Sequence, residues 1–190
     1  MKPHSRRHHR SLTRVLALVL LVGVTGCSST PKIAHMIPEG DDATFASTDA
    51  ALMVGTVQGG EASSAWEGSR ISASEYRLAL IQALQQSNLF TEVAAEAGGE
   101  ADYELATFLL SQQQPAGGFG MTVDLVVRYQ LIDQRTGSDV FNDKVVSSYR
   151  AGVGDAFVGT KRLRKANEGA VRENIKQLLQ QIDALSLGAT

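Results

Sequence analysis

The chain of 190 residues carries one cysteine, Cys27, one tryptophan, Trp66, four histidines and four prolines, and only 6% of it is aromatic. A lone thiol closes no internal disulfide, so the fold must be held by its core. His4, His8 and His9 crowd the start, which leaves His35 as the only imidazole beyond them. Nucleophile–histidine devices need an imidazole beside the attacking group, and a zinc centre needs several converging nitrogen or sulfur ligands. Neither chemistry has its parts here, and no cofactor motif stands in for them. No apolar run reaches the roughly 20 residues that a helix needs to cross a bilayer core. With 18 Lys and Arg against 20 Asp and Glu, there is no global attraction to nucleic acid, and none is expected as a partner.

What is present begins with an address. Residues 1–14 hold Lys2, Arg6, Arg7, Arg10 and Arg14 with no acid, and Val15 to Val24 are apolar apart from Gly23. This is the basic-then-apolar order of a secretory signal, too short to be a spanning helix.

Behind it stands Val24-Thr25-Gly26-Cys27, followed by Ser28-Ser29-Thr30. The stretch resembles the bacterial lipobox, in which a branched apolar residue, a small residue and Gly or Ala precede a modified Cys. The resemblance implies cleavage between Gly26 and Cys27 and a diacylglyceryl thioether on the Cys27 sulfur, with the mature protein anchored to a membrane by its acyl chains. Ser28, rather than Asp, after the cysteine favours the outer membrane by resemblance to enterobacterial sorting. The plainer alternative is an ordinary secretory signal with a cysteine near its cut site by chance. Cleavage would leave 13 Lys and Arg against 20 acids, a charge near −7 over 164 residues. An acidic surface is repelled by anionic headgroups, so the expectation is that fatty acids, not the protein surface, bind the membrane.

From Cys27 to Asp49 isolated apolar residues show no period, and a flexible tether spanning about 25 Å is expected. Residues 50–190 then read as a single domain. Ala51 to Val57 is an apolar run suited to a buried strand. Ser72 and Glu75 have the spacing of a capping box, and Tyr76, Ala79, Leu80, Ala83, Leu84 and Ser87, widened by Leu78 and Ile81, form the stripe of a helix. Leu89 to Val93 and Asp102 to Gln112 read as strands. Met121, Val123, Leu125, Val127, Tyr129 and Leu131 alternate with more polar residues over a dozen positions, the signature of a strand covered on one side. Asp139 to Arg150 reads as the last strand. Val171, Ile175, Leu178, Ile182 and Leu185 make the seam of a helix from Thr160 to Leu185, with Glu168 and Arg172 able to pair on its flank. The expected fold is α+β, a two-layer sandwich of a mostly antiparallel five-stranded sheet with two helices on one face, in the order β-α-β-β-β-β-α.

The run Ala83-Leu84-Gln85-Gln86-Ser87-Asn88-Leu89-Phe90-Thr91-Glu92-Val93, followed by Ala101-Asp102-Tyr103-Glu104-Leu105, is similar to a small domain of several envelope proteins. These are the amino-terminal domain of the translocation protein TolB, curli-secretion lipoproteins and lipoprotein activators of peptidoglycan synthases. The resemblance spans roughly residues 50–185 and implies a module that binds other envelope proteins or builds assemblies.

Candidate sites are few. Asp102, Glu104, Asp124, Asp139 and Asp143 lie on expected strands, where paired carboxylates about 5 to 9 Å apart can cut glycosidic bonds; acids on the solvent face of a sheet account for them as well. Gly117-Gly118-Phe119-Gly120 lacks the Lys-Ser/Thr ending of a phosphate loop and reads as a hairpin turn. Lys161, Arg162, Arg164 and Lys165 form the one dense basic patch, either a solvated helix end or a docking point for an acidic partner, peptidoglycan or lipid headgroups. Trp66 suits an interface anchor or a side chain folded onto the core. The preferred expectation is a noncatalytic binding or assembly accessory on the inner face of the outer membrane, recruiting an envelope protein partner. The second reading is an auxiliary lipoprotein of a lipid or solute transport system with an apolar ligand groove.

Overall fold

Alternation and amphipathic periodicity place seven elements, followed here in a computed structural model that describes residues 31–39, 45–60, 70–95, 101–115 and 117–187. The signal segment, Gly26, Cys27 and Trp66 lie outside the described residues. The elements are β1 (Thr48–Gly59), α1 (Ala73–Ser87), β2 (Phe90–Ala94), β3 (Tyr103–Gln113), β4 (Met121–Asp133), β5 (Ser138–Ala151) and α2 (Gly159–Ala184), after a short 3₁₀ turn at Ile33–His35. Their order is the β-α-β-β-β-β-α expected, and the fold is α+β.

The sheet runs β2-β1-β3-β4-β5. Its long ladders, β3–β4 and β4–β5, are antiparallel, whereas β1 is parallel to both of its neighbours. Short β2 covers the first half of β1, and β3 starts on the other side at Leu52. Where β2 stops, the Val54 and Gly55 carbonyls accept from the Arg77 guanidinium of α1 at 2.9 and 2.8 Å, and the same group reaches the Ala95 carbonyl. A buried edge acceptor left unpaired is costly, so Arg77 substitutes for the missing strand.

The capping box forms as read, with Ser72 Oγ accepting from the Glu75 N–H and the Glu75 carboxylate accepting from the Ser72 N–H at 2.9 Å. α1 buries Tyr76, Ala79, Leu80, Ile81, Ala83 and Leu84. Leu78 does not join this stripe; it is half exposed on the opposite side of the helix. Both helices meet the inward face of β4 at one point: the Tyr76 and Tyr129 hydroxyls contact each other, and each contacts Asn174 Oδ1 of α2. That common contact puts α1 and α2 on the same side of the sheet.

Residues 31–39, read as tether, contribute to the core instead. Met36 is fully buried and Ile37 nearly so, because each side chain alone finds a place beneath the helices without needing a repeat. The tether expectation fails over that stretch.

Candidate functional site

The basic run does not act as one patch. Four cations within five helical residues point in different directions, since successive residues turn by about 100°. Lys161 is exposed, Lys165 is half-buried with its amine donating to the Asp155 carbonyl at 2.7 Å, and Arg164 faces Glu168 at 3.4 Å. Arg162 is only 8% exposed. Its guanidinium donates to the Ala156 and Phe157 carbonyls at 2.8 and 2.7 Å and to the Gly118 carbonyl at 3.2 Å. One buried cation therefore stitches the β3–β4 hairpin to the loop before α2. Arg162 and Arg164 are thus engaged within the fold rather than lying with Lys161 and Lys165 on one solvent-facing patch.

Glu168 is spaced to pair with Arg172 on the flank of α2, yet it takes other partners. It is 2% exposed, and its carboxylate accepts from the Lys32 N–H at 2.8 Å and lies 3.0 Å from His35 Nδ1. Arg172 instead donates to the His35 carbonyl at 3.0 Å and stacks over the Tyr149 ring at 5.4 Å. Together these contacts form the seat that holds the 3₁₀ turn against α2. The pairing differs because the turn supplies partners that a helix-only reading leaves out.

Of the five carboxylates expected on strands, all but Asp124 serve local structure, and Asp102 stands just before β3. Asp102 Oδ2 accepts from the Ala51 N–H at 2.8 Å, and Glu104 accepts from the Gln134 amide at 3.2 Å. Hydrogen bonds from Gln130 and Asn142 hold the Asp139 carboxyl below the usual carboxylate range, and Asp143 accepts from the neighbouring Lys144 N–H. Among the described residues no three His, Cys, Asp or Glu side chains gather as a metal site, and no helix is long and apolar enough to cross a membrane.

Among the described residues, nothing covers the sheet face away from the helices. Cross-strand neighbours on it are Val126 with Val146, and Arg128 with both Lys144 and Phe108. The Arg128 guanidinium lies 4.7 Å from the centre of the Phe108 ring, and Val146 is 61% exposed. A cleft of about 430 Å³ lies at the end of the sheet nearest the hairpin, lined by Arg70, Ile71, Tyr76, Leu109, Gln112 and Leu125 among others. Its mixed lining differs from an apolar ligand groove.

Sequence reasoning passed over two side chains. Phe119 is 88% exposed on the β3–β4 hairpin, confirmed as a turn, and Phe157 is 91% exposed on the loop before α2. The available signal was an aromatic among glycines, outside any period that would turn it inward.

No family model matches the chain, and no curated protein matches it in sequence. Solved structures do. Protein XCC0632 from Xanthomonas campestris, of family DUF330, matches with TM-score 0.63 at 12% identity, over 83% of this chain and 95% of that one. The hypothetical protein CT253 from Chlamydia trachomatis matches with TM-score 0.52 at 11% identity, over 72% and 99%. A protein from Caulobacter crescentus, provisionally described as a lipoprotein, matches with TM-score 0.50 at 14% identity, over 73% and 92%. At such identities the likeness is one of fold.

Proposed function

We propose that the chain is an exported lipoprotein, acylated on Cys27 and held on the inner leaflet of the outer membrane, where its domain serves as a noncatalytic binding or assembly module for another envelope protein. The observation that carries this reading is the sole thiol, placed directly after Val24-Thr25-Gly26 and a basic-then-apolar leader. The shared fold with the Caulobacter crescentus protein supports it. The partner surface is the open sheet face, where Val126, Val146 and the Phe108–Arg128 pair offer apolar area rimmed by polar groups.

Two measurements test this. The native product should weigh more than its polypeptide by a diacylglyceryl group and an N-acyl chain, a gain abolished by Cys27→Ser. Photo-crosslinking residues placed at Val126 and Val146 in living cells should capture one defined envelope protein, while the same probe at Gln180, on the exposed side of α2, captures none. Equal capture from all three positions removes the sheet face as the docking surface. A lipid that co-purifies reproducibly with the domain would favour the transport reading instead.

A further inference from the structure

We infer that the two loops joined by Arg162, carrying Phe119 on one side and Val153, Phe157 and Val158 on the other, form a tip that enters the anionic phospholipid leaflet holding the lipid anchor. The choice of leaflet rests on the acylation of Cys27 proposed above; the chemistry of the tip does not.

The apolar groups are too exposed to be core residues at the rim. Val153 and Val158 are 40% and 52% exposed, beside two phenylalanines with about nine-tenths of their surface in water. Exposed aromatic side chains on loop ends are unfavourable in water and suit the interfacial zone of a bilayer. They are held ready to enter it, because the Gly118 and Phe157 carbonyls share the Arg162 guanidinium. The loops therefore present one preformed surface rather than two independent ends.

Charge selects the partner. Lys161 stands in the first turn of α2, Lys165 a turn later, and the Arg150 guanidinium lies against Gly120. The N-cap residue of α2, Val158, offers no side-chain cap and the first turn holds no acid, so the helix's positive end adds to the same field. The one acid in the loop, Asp155, is turned back onto the Gly152 N–H at 2.7 Å. A cationic apolar tip on a mature chain near −7 meets an anionic lipid surface favourably at this end, whereas the rest of the surface is repelled.

Reach agrees with this placement. Glu168 seats Lys32 nine residues into α2 from Gly159, about 14 Å along the axis. Cys27 precedes Lys32 by five residues, at most about 17 Å of chain. Anchor and tip thus both belong to the first half of α2 and can engage one leaflet. Because the anchor already supplies a high local concentration, a weak tip is sufficient to orient the domain.

The test uses the full mature chain with Cys27→Ser, so that vesicle binding reports the tip and not the acyl chains. Co-sedimentation with vesicles of phosphatidylethanolamine and phosphatidylglycerol is expected at low salt. It should fall roughly tenfold in Phe119→Ser/Phe157→Ser, and severalfold in Lys161→Glu or in about 0.5 M NaCl. These side chains are exposed, so the variants fold as the parent does. Failure of the Cys27→Ser chain to bind, or binding unchanged by the phenylalanine pair, overturns the tip. A phenylalanine variant that keeps its vesicle binding but loses a crosslinked protein would make the loops a protein-docking site and also overturn it. The mass of the native product decides acylation separately, so either idea can fail while the other stands.

Discussion

At the centre of the domain two phenols and one carboxamide share three contacts. Asn174 Oδ1 accepts from the Tyr76 and Tyr129 hydroxyls at 3.1 and 2.8 Å, and its Nδ2 donates to the Val145 carbonyl and Ser147 Oγ at 3.0 and 3.1 Å. Burial raises both tyrosines well above the ordinary phenol range, and for Tyr129 the facing Tyr76 raises it further. A folded-state pKa above the unfolded one gives stability that is complete below about pH 10, the unfolded value, and is lost as pH rises from there toward the raised folded value. Each tyrosine contributes up to about 1.4 kcal/mol per pH unit to that decline. Denaturant unfolding of the parent from about pH 9 to 11 should therefore lose stability more steeply than Tyr76→Phe/Tyr129→Phe. Parallel slopes would show that the hydroxyls do not control alkaline unfolding. In the sequence each tyrosine is legible as an inward position, one on a helical period and the other on a strand alternation. Their meeting is not, because 53 residues separate them and no local rule pairs them.

Among the elements, those governed by local chemistry were the most legible: the Ser72–Glu75 capping box, the alternation of β4 and the seam of α2. That β3 would lie parallel to β1 on its other edge was not, since strand neighbours are chosen by contacts across the whole chain. The separate surroundings of the four cations in the basic run were illegible for a related reason, since adjacency along a helix is not adjacency in space. α2 also holds a glycine that propensity would replace. A Cβ on Gly169 would lie 2.3 Å from the Tyr149 ring, which Arg172 covers from above. Alanine gains roughly 1 kcal/mol of helix propensity there, but forcing the ring aside costs about 1–3 kcal/mol. Gly169→Ala should thus lower Tm and weaken the near-ultraviolet tyrosine dichroism; a raised Tm would show that the ring moves freely.

For the whole molecule, the two-layer architecture followed from one greasy strand face and two amphipathic helices, whereas the seat on Glu168 had no sequence signal beyond Met36 and Ile37 standing apart in polar chain. Replacing Glu168 by Ala removes the acceptor of the Lys32 N–H and the partner of His35 and Arg164. Stability should fall by about 2–4 kcal/mol, and hydrogen exchange at residues 32–37 should accelerate ahead of the sheet. Exchange that stays slow would mean that the burial of Met36 and Ile37 alone holds the segment.

That seat sets the length of the leash. With Cys27 acylated as proposed, only the few residues before Lys32 separate fat from folded protein, so the domain grazes the leaflet instead of sweeping the aqueous gap. A binding mate fixed on the far wall of that gap is then out of range, and one that lies along the same bilayer, or comes to it, is within grasp.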